Sequence, residues 1–265
     1  AEISTPYLDA VIILAHVIGI SKEQLFARYP DKIPNVFVVK FHQLLARRLL
    51  GEPVAYLCSN KEFYGRTFTV NREVLIPRPE TELLVEVALK FGDSLEEQGS
   101  SLSVHDVGTG SGAIALTLQM EREHWQVSAS DVSPFAVSTA LQNRDQLGAH
   151  KLYIQLCDLL PPFPKKWNLI VGNLPYLSSE EVRNLKASGW QEPCQALDGG
   201  TDGLRSICRL IDSVYHRLKI GGGLVLEFAP EQAAPLRHYL NKQGFDSKLF
   251  HDLAGYERVL LACRE

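Results

Sequence analysis

The sequence predicts an α/β protein in which a parallel, Rossmann-like sheet follows a small N-terminal helical bundle. From residue 102 onward, short β-rich segments alternate with segments of helical period. Such alternation builds a parallel sheet with helices on both faces. The first 60 residues instead place apolar side chains every three or four positions, which is typical of amphipathic helices. A glycine-rich turn at residues 108–112 joins the first predicted strand of the sheet to a helix.

The composition is that of a soluble globular protein. Hydrophobic residues make up 45% of the sequence and charged residues 22%. The length of 265 residues is enough for one large domain or two ordinary ones. The longest apolar run, residues 10–20, is much shorter than the roughly 20 residues that span a bilayer. No basic segment precedes this run, so the sequence predicts no signal peptide.

The cysteines and histidines predict neither disulfides nor a metal site. The five cysteines are scattered without a CxxC pair, and the eight histidines show no HExxH or HxH spacing. Scattered cysteines in odd number are typical of a reducing compartment. We therefore predict a cytoplasmic protein that binds no metal.

The first 60 residues predict a bundle of three helices. Ser4 or Thr5 offers an N-cap for the first helix, and Ser21 caps the second, which should stop at Pro30. The third helix should end near Gly51. Two interpretations of this bundle stay open, a purely structural cap and a surface that docks a partner.

A short β-hairpin is predicted to link the bundle to the sheet. Residues 61–76 carry β-formers on both sides of the turn-formers Asn71 and Arg72. A helix should then begin near Glu80 or Thr81. The predicted division is a helical bundle at 1–60, a hairpin linker at 61–78 and a sheet domain at 79–265.

The elements of the sheet domain follow in order. Strands are predicted at 103–108, 125–131, 151–158, 168–173 and 222–228, and helices at 112–122, 134–147 and 203–218. The segments 245–252 and 256–264 are separated by a turn that contains glycine, and they predict an antiparallel pair of strands.

The turn after the first strand predicts a nucleotide-like cofactor. Gly108, Gly110 and Gly112 let the backbone approach a ligand closely, and the helix that follows offers free N–H groups to an anion. Asp131 lies nineteen residues after Gly112 and ends the next strand, where it can accept hydrogen bonds from ribose hydroxyls. A nicotinamide cofactor and S-adenosylmethionine both fit this pattern.

A second unusual stretch follows the fourth strand. Residues 169–177, LIVGNLPYL, run from a predicted buried strand directly into Asn173, Pro175 and Tyr176. In open α/β sheets, ligands bind at this carboxyl edge. NLPY resembles the [N/D]PP[Y/F] motif of methyltransferases that modify amino groups of adenine, cytosine or glutamine. This resemblance favours S-adenosylmethionine over a nicotinamide.

The NLPY resemblance implies how a poorly nucleophilic nitrogen is activated. Carbonyl oxygens of the Asn173 side chain and of the residue 174 main chain would accept the NH₂ hydrogens and favour the positive charge that grows on nitrogen. Tyr176 would offer its ring as a flat face. Leu174 departs from the family's proline and lacks its fixed φ, which predicts a looser loop and a slower or inactive protein.

Motifs along nearly the whole chain are similar to the protein-glutamine N5-methyltransferases that act on bacterial peptide chain release factors. They are GEPVAYL at 51–57, VLIPRPETELLVE at 74–86, DVGTGSGAIAL at 106–116, IVGNLPY at 170–176 and GGGLVLE at 221–227. The resemblance implies a seven-stranded S-adenosylmethionine-dependent methyltransferase domain. It also implies methyl transfer to the glutamine of a Gly-Gly-Gln loop in a release factor.

The same resemblance implies the site residues. Those expected to contact the cofactor are Gly108, Thr109, Gly110, Ser111, Gly112, Asp131, Leu159 and Asn173. Those expected to hold the substrate glutamine and to act in catalysis are Asn173, Leu174, Pro175 and Tyr176.

Three positions carry expectations of their own. Leu159 replaces an aromatic residue of some relatives, so its contact with adenine would be purely apolar. His105 stands where an aliphatic residue is usual, and we predict a core histidine rather than a base. Arg78 would steer the substrate loop or pair with Glu80 or Glu82.

The charge distribution bears on the main alternative, an adenine-N6 methyltransferase of DNA or RNA. Residues 1–73 hold nine Lys and Arg against seven Asp and Glu, whereas the remainder holds 18 against 24. Nucleic-acid enzymes usually carry a basic surface on the working domain. The acidic second part therefore predicts no direct contact with nucleic acid. A release-factor binder weakened by Leu174 is a further alternative.

Overall fold

A computed structural model of the protein describes residues 3–29, 31–97 and 102–264. The first part of the chain is helical, as predicted, with four helices where three were expected. They are α1 (Pro6–Ile18), α2 (Lys22–Ala27), α3 (Asn35–Leu49) and α4 (Val54–Leu57). The additional helix, α4, is a single turn.

The two predicted helix caps behave differently. Ser21 caps α2 as expected, because its hydroxyl accepts from Gln24 N at 3.2 Å and Gln24 Oε1 accepts from Ser21 N at 3.0 Å. Thr5 precedes α1, but its hydroxyl caps no backbone N–H and instead donates to Asp9 Oδ1 at 3.1 Å. The predicted stop at Pro30 lies outside the described residues.

A small apolar core and an ion pair between α3 and α1 hold the bundle together. Ile13 and Val17 of α1 pack with Leu44 of α3 and with Leu57 of α4, and all four are buried. Arg48 Nε donates to Asp9 Oδ2 at 2.7 Å, which joins α3 to α1.

The hairpin forms earlier in the chain than predicted. Its strands are β1 (Asn60–Phe63) and β2 (Arg66–Thr69), so the turn lies at Tyr64 and Gly65 and not at Asn71 and Arg72. Both turn residues have positive φ, 51° and 69°. Two-residue hairpin turns require this conformation, and Gly65 adopts it without steric cost. The segment 71–76 forms no strand.

The sheet has seven strands. They are β3 (Ser103–Val107), β4 (Gln126–Asp131), β5 (Tyr153–Leu156), β6 (Trp167–Gly172), β7 (Leu218–Glu227), β8 (Phe245–His251) and β9 (Glu257–Arg264), in the order β5-β4-β3-β6-β7-β9-β8. The first five strands are parallel and β9 is antiparallel to both of its neighbours, which confirms the predicted antiparallel pair.

Six helices belong to this part of the chain. They are α5 (Thr81–Glu97), α6 (Ala113–Glu121), α7 (Pro134–Gln146), α8 (Ser179–Ala187), α9 (Arg205–Val214) and α10 (Ala233–Lys242). The helices α8 and α10 were not predicted. Only Val182 of α8 is buried, so its sequence lacks an apolar stripe. Pro235 lies in the first turn of α10, where a missing N–H costs no hydrogen bond.

The strand order creates a binding edge. β3 pairs with β4 on one side and with β6 on the other. From β3 the chain adds β4 and β5 on one side of the sheet, and it then returns to add β6 and β7 on the other side, so the strand order reverses at β3. Ligands of open α/β sheets bind where the order reverses, at the carboxyl ends of the strands. None of the described helices is long and apolar enough to span a bilayer.

Candidate functional site

A cleft of about 770 Å³ opens at the carboxyl edge of β3, β4 and β6. Nine of the predicted site residues line it: Gly108, Thr109, Gly110, Ser111, Asp131, Leu159, Asn173, Leu174 and Pro175. The volume is within the range usual for small-molecule sites. Gly112 and Tyr176 are not among the residues that line it.

The glycine-rich turn is shaped by close packing. A Cβ atom at Gly108 would lie 2.9 Å from Leu174 Cδ2, so the glycine leaves room for the leucine of NLPY. A Cβ atom at Gly112 would lie 2.8 Å from Leu116 Cδ1 and 3.3 Å from Ala140 Cβ. Both glycines also have positive φ. Gly112 therefore serves the contact of α6 with α7.

Asp131 holds the glycine-rich turn from the neighbouring strand. Its Oδ2 accepts from Gly110 N and its Oδ1 accepts from Ser133 N, each at 2.9 Å. Burial raises the pKa of Asp131, and the backbone donors at Ser133 and Gly110 oppose that shift. Each carboxylate oxygen has a second lone pair, which can accept from a ribose hydroxyl.

A buried aspartate below the turn was missed by sequence reasoning. Thr109 Oγ1 donates to Asp106 Oδ2 at 2.6 Å, and among the described residues Asp106 Oδ1 has no hydrogen-bond partner. Burial raises the pKa of Asp106 to about 7. The available signal was an acidic residue directly before the last residue of a fully buried strand.

Asn143 of α7 joins the hairpin to the glycine-rich turn, and it was also missed. Its Oδ1 accepts from Thr69 N at 2.7 Å, and its Nδ2 donates to Thr69 O at 2.9 Å and to Ser111 O at 2.8 Å. The side chain is fully buried. The position of the glycine-rich turn is thereby coupled to the hairpin.

The side-chain amide of Asn173 has a fixed orientation. Its Nδ2 donates to Thr81 Oγ1 at 3.0 Å, at the start of α5. No described residue donates to Asn173 Oδ1, and Asn173 lines the cleft. The carbonyl oxygen is therefore available to a donor in the cleft, which is the role that the NLPY resemblance requires.

Tyr176 is anchored behind the cleft. Its hydroxyl donates to Glu227 Oε1 at 3.0 Å, and Glu227 is 1% exposed. Burial raises the pKa of both groups, and the hydroxyls of Thr81 and Tyr176 act in the opposite direction on Glu227. Gln232 Nε2 donates to Tyr176 O at 2.9 Å. The end of the NLPY motif is thus held from β7 and from the segment that precedes α10.

Arg78 forms an ion pair different from the predicted one. Its guanidinium pairs with Glu192, and not with Glu80 or Glu82. Glu192 is 1% exposed and also accepts from Ile76 N at 3.4 Å. A buried carboxylate recruits a cation. Of the neighbouring glutamates, Glu80 is exposed and Glu82 accepts from Tyr64 N at 2.8 Å. Arg78 and the segment after Glu192 form one rim of the cleft.

No described residues form a cluster of three or more His, Cys, Asp or Glu side chains that could hold a metal ion. His105 is fully buried between Ser128 and Ser130 on β4 and does not line the cleft.

Comparison with known proteins identifies the family. Residues 1–58 match the family model described as the PrmC N-terminal domain, and residues 81–188 match the methyltransferase small domain. The release factor glutamine methyltransferase of Neisseria gonorrhoeae is 40% identical over 97% of this chain and 93% of its own length. The chain belongs to the release factor glutamine methyltransferase family.

Other comparisons agree with this family and with the fold. The release factor glutamine methyltransferase of Bacillus subtilis is 36% identical over 96% of this chain and 90% of its own. A solved methyltransferase from Pyrococcus furiosus superposes with a TM-score of 0.58 at 14% identity, covering 83% of this chain and 97% of that one. The fold of this chain is therefore the seven-stranded methyltransferase fold, as the resemblance implied.

Proposed function

We propose that the cleft binds S-adenosylmethionine beside the glutamine side chain of a release factor, with the nine predicted site residues that line it in the roles expected from the sequence. The activity is S-adenosylmethionine-dependent methylation of a release factor glutamine, in accord with family membership. The alternative acceptor, adenine of DNA or RNA, is not favoured by these relatives.

The residues of the cleft fit the cofactor. The glycines of the turn at 108–111 let its main chain lie close to the charged amino-acid end of S-adenosylmethionine. Asp131 can accept hydrogen bonds from the ribose hydroxyls of the cofactor. Leu159 offers an apolar contact for adenine. When bound, the cofactor supplies a methyl group on a positively charged sulfonium.

The orientation of Asn173 is the observation that carries the proposal. Thr81 holds Nδ2, so Oδ1 is directed to accept from the amide NH₂ of a glutamine. The main-chain carbonyl of Leu174 is the second acceptor. Together they hold the amide nitrogen with its lone pair toward the methyl group and stabilise positive charge on nitrogen. The proton released from nitrogen can leave to water.

Leu174 keeps the carbonyl acceptor that the mechanism needs. Its side chain is 4% exposed and packs in a core cluster with Val107 and Ile170, and this packing supports the loop in place of a proline ring. A rate lower than that of a proline-containing relative stays a prediction.

The N-terminal bundle is proposed to dock the release factor. We propose the division into residues 1–60, 61–78 and 79–265, with the first part as a docking surface. Large apolar side chains are exposed along it, among them Val36 at 70%, Val39 at 59% and Leu50 at 80%. Val36 and Val39 lie one helical turn apart on α3, and exposed apolar patches mark interaction sites. The chain is proposed to be cytoplasmic, since its five cysteines are free.

Methylation of the release factor tests the function directly. The protein is incubated with labelled S-adenosylmethionine and a release factor, and the peptide that contains Gly-Gly-Gln is analysed by mass spectrometry. We expect one methyl group on the glutamine nitrogen. Asn173→Ala should abolish it, because the amide then lacks its side-chain acceptor. A release factor with Gly-Gly-Glu is the matched control and should accept no methyl.

Two outcomes would contradict the proposal. Label on another residue of the release factor would reject the acceptor. Faster transfer to DNA or RNA, weakening steeply as salt rises, would favour the nucleic-acid alternative and reject the expectation of no direct nucleic-acid contact.

A further inference from the structure

A polar cluster is buried between β3 and β4, directly behind the cleft. His105 is fully buried, with Nδ1 2.8 Å from Ser128 Oγ and Nε2 3.0 Å from Ser130 Oγ. Its ring lies 4.7 Å from that of Trp167, centroid to centroid. The mechanism of methyl transfer uses none of these groups. A fully buried imidazole between two hydroxyls is nevertheless costly unless its hydrogen bonds are satisfied.

The distances assign one direction to the hydrogen bonds. Ser130 Oγ lies 2.6 Å from Leu159 O, so its single proton is donated there, and it must accept from His105 Nε2. His105 Nδ1 then accepts from Ser128 Oγ, whose contact with the imidazole is shorter than its 3.1 Å contact with Val104 O. In the opposite tautomer, His105 Nε2 would accept the proton of the Ser130 hydroxyl, and Leu159 O would lose its donor.

The imidazole keeps this state over a wide range of pH. Burial lowers the pKa of His105 to about 3, and the nearby cations of Lys165 and Arg217 lower it further. The ring is neutral, so one nitrogen donates and the other accepts.

The chain of hydrogen bonds ends on a residue in a strained conformation. Leu159 has φ of +57°, which is unusual for a residue with a branched side chain. Strain of this kind persists only where neighbouring groups hold the backbone. On the other side of the loop, Arg217 donates to three carbonyls, those of Pro161, Phe163 and Lys165.

We propose that His105 and Ser130 are positioning residues that fix the main chain of Leu159 for the adenine ring of the cofactor. The proposal rests on the proposed function, in which adenine contacts Leu159. An aliphatic residue at 105 cannot donate to Ser130, so this link depends on the histidine. Cys157, Asp158 and Leu159 all line the cleft, so movement of the main chain here changes the shape of the binding site.

Two neighbouring serines give a matched test. Ser130→Ala removes the donor to Leu159 O, whereas Ser128→Ala removes a buried hydroxyl from the other nitrogen of the same imidazole and leaves the link to Leu159. The dissociation constant of S-adenosylmethionine is measured by calorimetry without release factor. Ser130→Ala should weaken binding about fivefold, as for one lost hydrogen bond, and Ser128→Ala by less than about twofold.

A second pair of variants tests whether His105 acts through Ser130. His105→Leu should weaken cofactor binding in the parent protein and have no further effect in the Ser130→Ala protein, because residues in one chain of contacts are not additive. Hydrogen exchange at residues 157–160 should rise in Ser130→Ala and His105→Leu but not in Ser128→Ala.

The outcomes that overturn the proposal are distinct from a failure of glutamine methylation, since no release factor is present. Equal cofactor affinity in the two serine variants would reject it. So would additive effects of His105→Leu and Ser130→Ala. Thermal unfolding of each variant shows that the fold is retained.

Discussion

Asn173 depends on a single hydroxyl, that of Thr81, for the orientation of its amide. Thr81→Val removes the acceptor of the 3.0 Å bond while keeping nearly the same volume in a position that is 4% exposed. Asn173 can then rotate and present its NH₂ group to the glutamine. We expect kcat for release factor methylation to fall about tenfold, a typical cost of misplacing one transition-state acceptor.

Thr81→Ser is the matched control, because it keeps the hydroxyl and loses only a methyl group. It should retain most of the parent kcat. The cofactor dissociation constant should change much less than kcat in both variants, because Asn173 is one of several expected cofactor contacts and the adenine and ribose contacts lie elsewhere in the cleft. Equal kcat values for the Val and Ser variants would reject the orienting role of Thr81.

Single site residues were predictable where they belong to a local motif. The cleft is lined by Asn173, Asp131 and the glycine-rich turn, all of which stand at strand ends in the sequence. Thr81 and Glu227 were missed as supports of NLPY, because they lie 92 and 51 positions from the residues they contact. Local spacing carries no information about contacts of that kind.

At the scale of elements, β3 carries a buried carboxyl near its end, and the ionisation of this group should make stability depend on pH. The pKa of Asp106 is about 7 in the folded protein and about 4 in an unfolded chain. Between these values the folded protein keeps a proton that the unfolded chain releases. The contribution of Asp106 to the free energy of unfolding therefore falls as pH rises from about 4 to 7 and is constant above.

Asp106→Asn removes this titration. From pH 5 to pH 8, the free energy of unfolding of the variant should rise by about 3 kcal/mol relative to that of the parent, because the variant never carries a buried charge. Urea denaturation at several pH values measures the difference. Glu227 also has a raised pKa, but it is common to both proteins and cancels in the comparison. The negative charge of Asp131 contributes to the raised pKa of Asp106, so the difference between the two proteins includes this repulsion. Parallel stability curves would contradict the assignment to Asp106.

Helices and strands were predicted well where their burial leaves a regular pattern of apolar residues in the sequence. The strand β6 is a nearly continuous apolar run because both faces of a parallel sheet are covered. The strands β3 and β4 are also largely buried, but they carry Ser, His and Asp side chains among their apolar residues. The polar helix α8 was missed, because little of it is buried. The hairpin turn was misplaced because Asn71 and Arg72 are good turn-formers, whereas Tyr64 gives no local sign of the positive φ that it adopts.

At the scale of the whole molecule, the bundle is proposed to supply binding energy remote from the chemistry. Val36 and Val39 lie three positions apart on α3, hence on one face, and both are largely exposed. In the Val36→Ser/Val39→Ser double variant, KM for intact release factor should rise about tenfold, the cost of losing two valines that the bound release factor would partly bury. KM for a short Gly-Gly-Gln peptide should not change, because the peptide cannot reach α3.

Ile220 provides the control for that experiment. It is 83% exposed near the start of β7, at the sheet edge opposite the cleft, so Ile220→Ser makes a similar apolar-to-polar change away from any substrate path. We expect its KM for release factor to equal that of the parent. An equal rise in the peptide KM of the double variant would assign the loss to the cleft, and an unchanged KM for intact release factor would leave the bundle a structural cap.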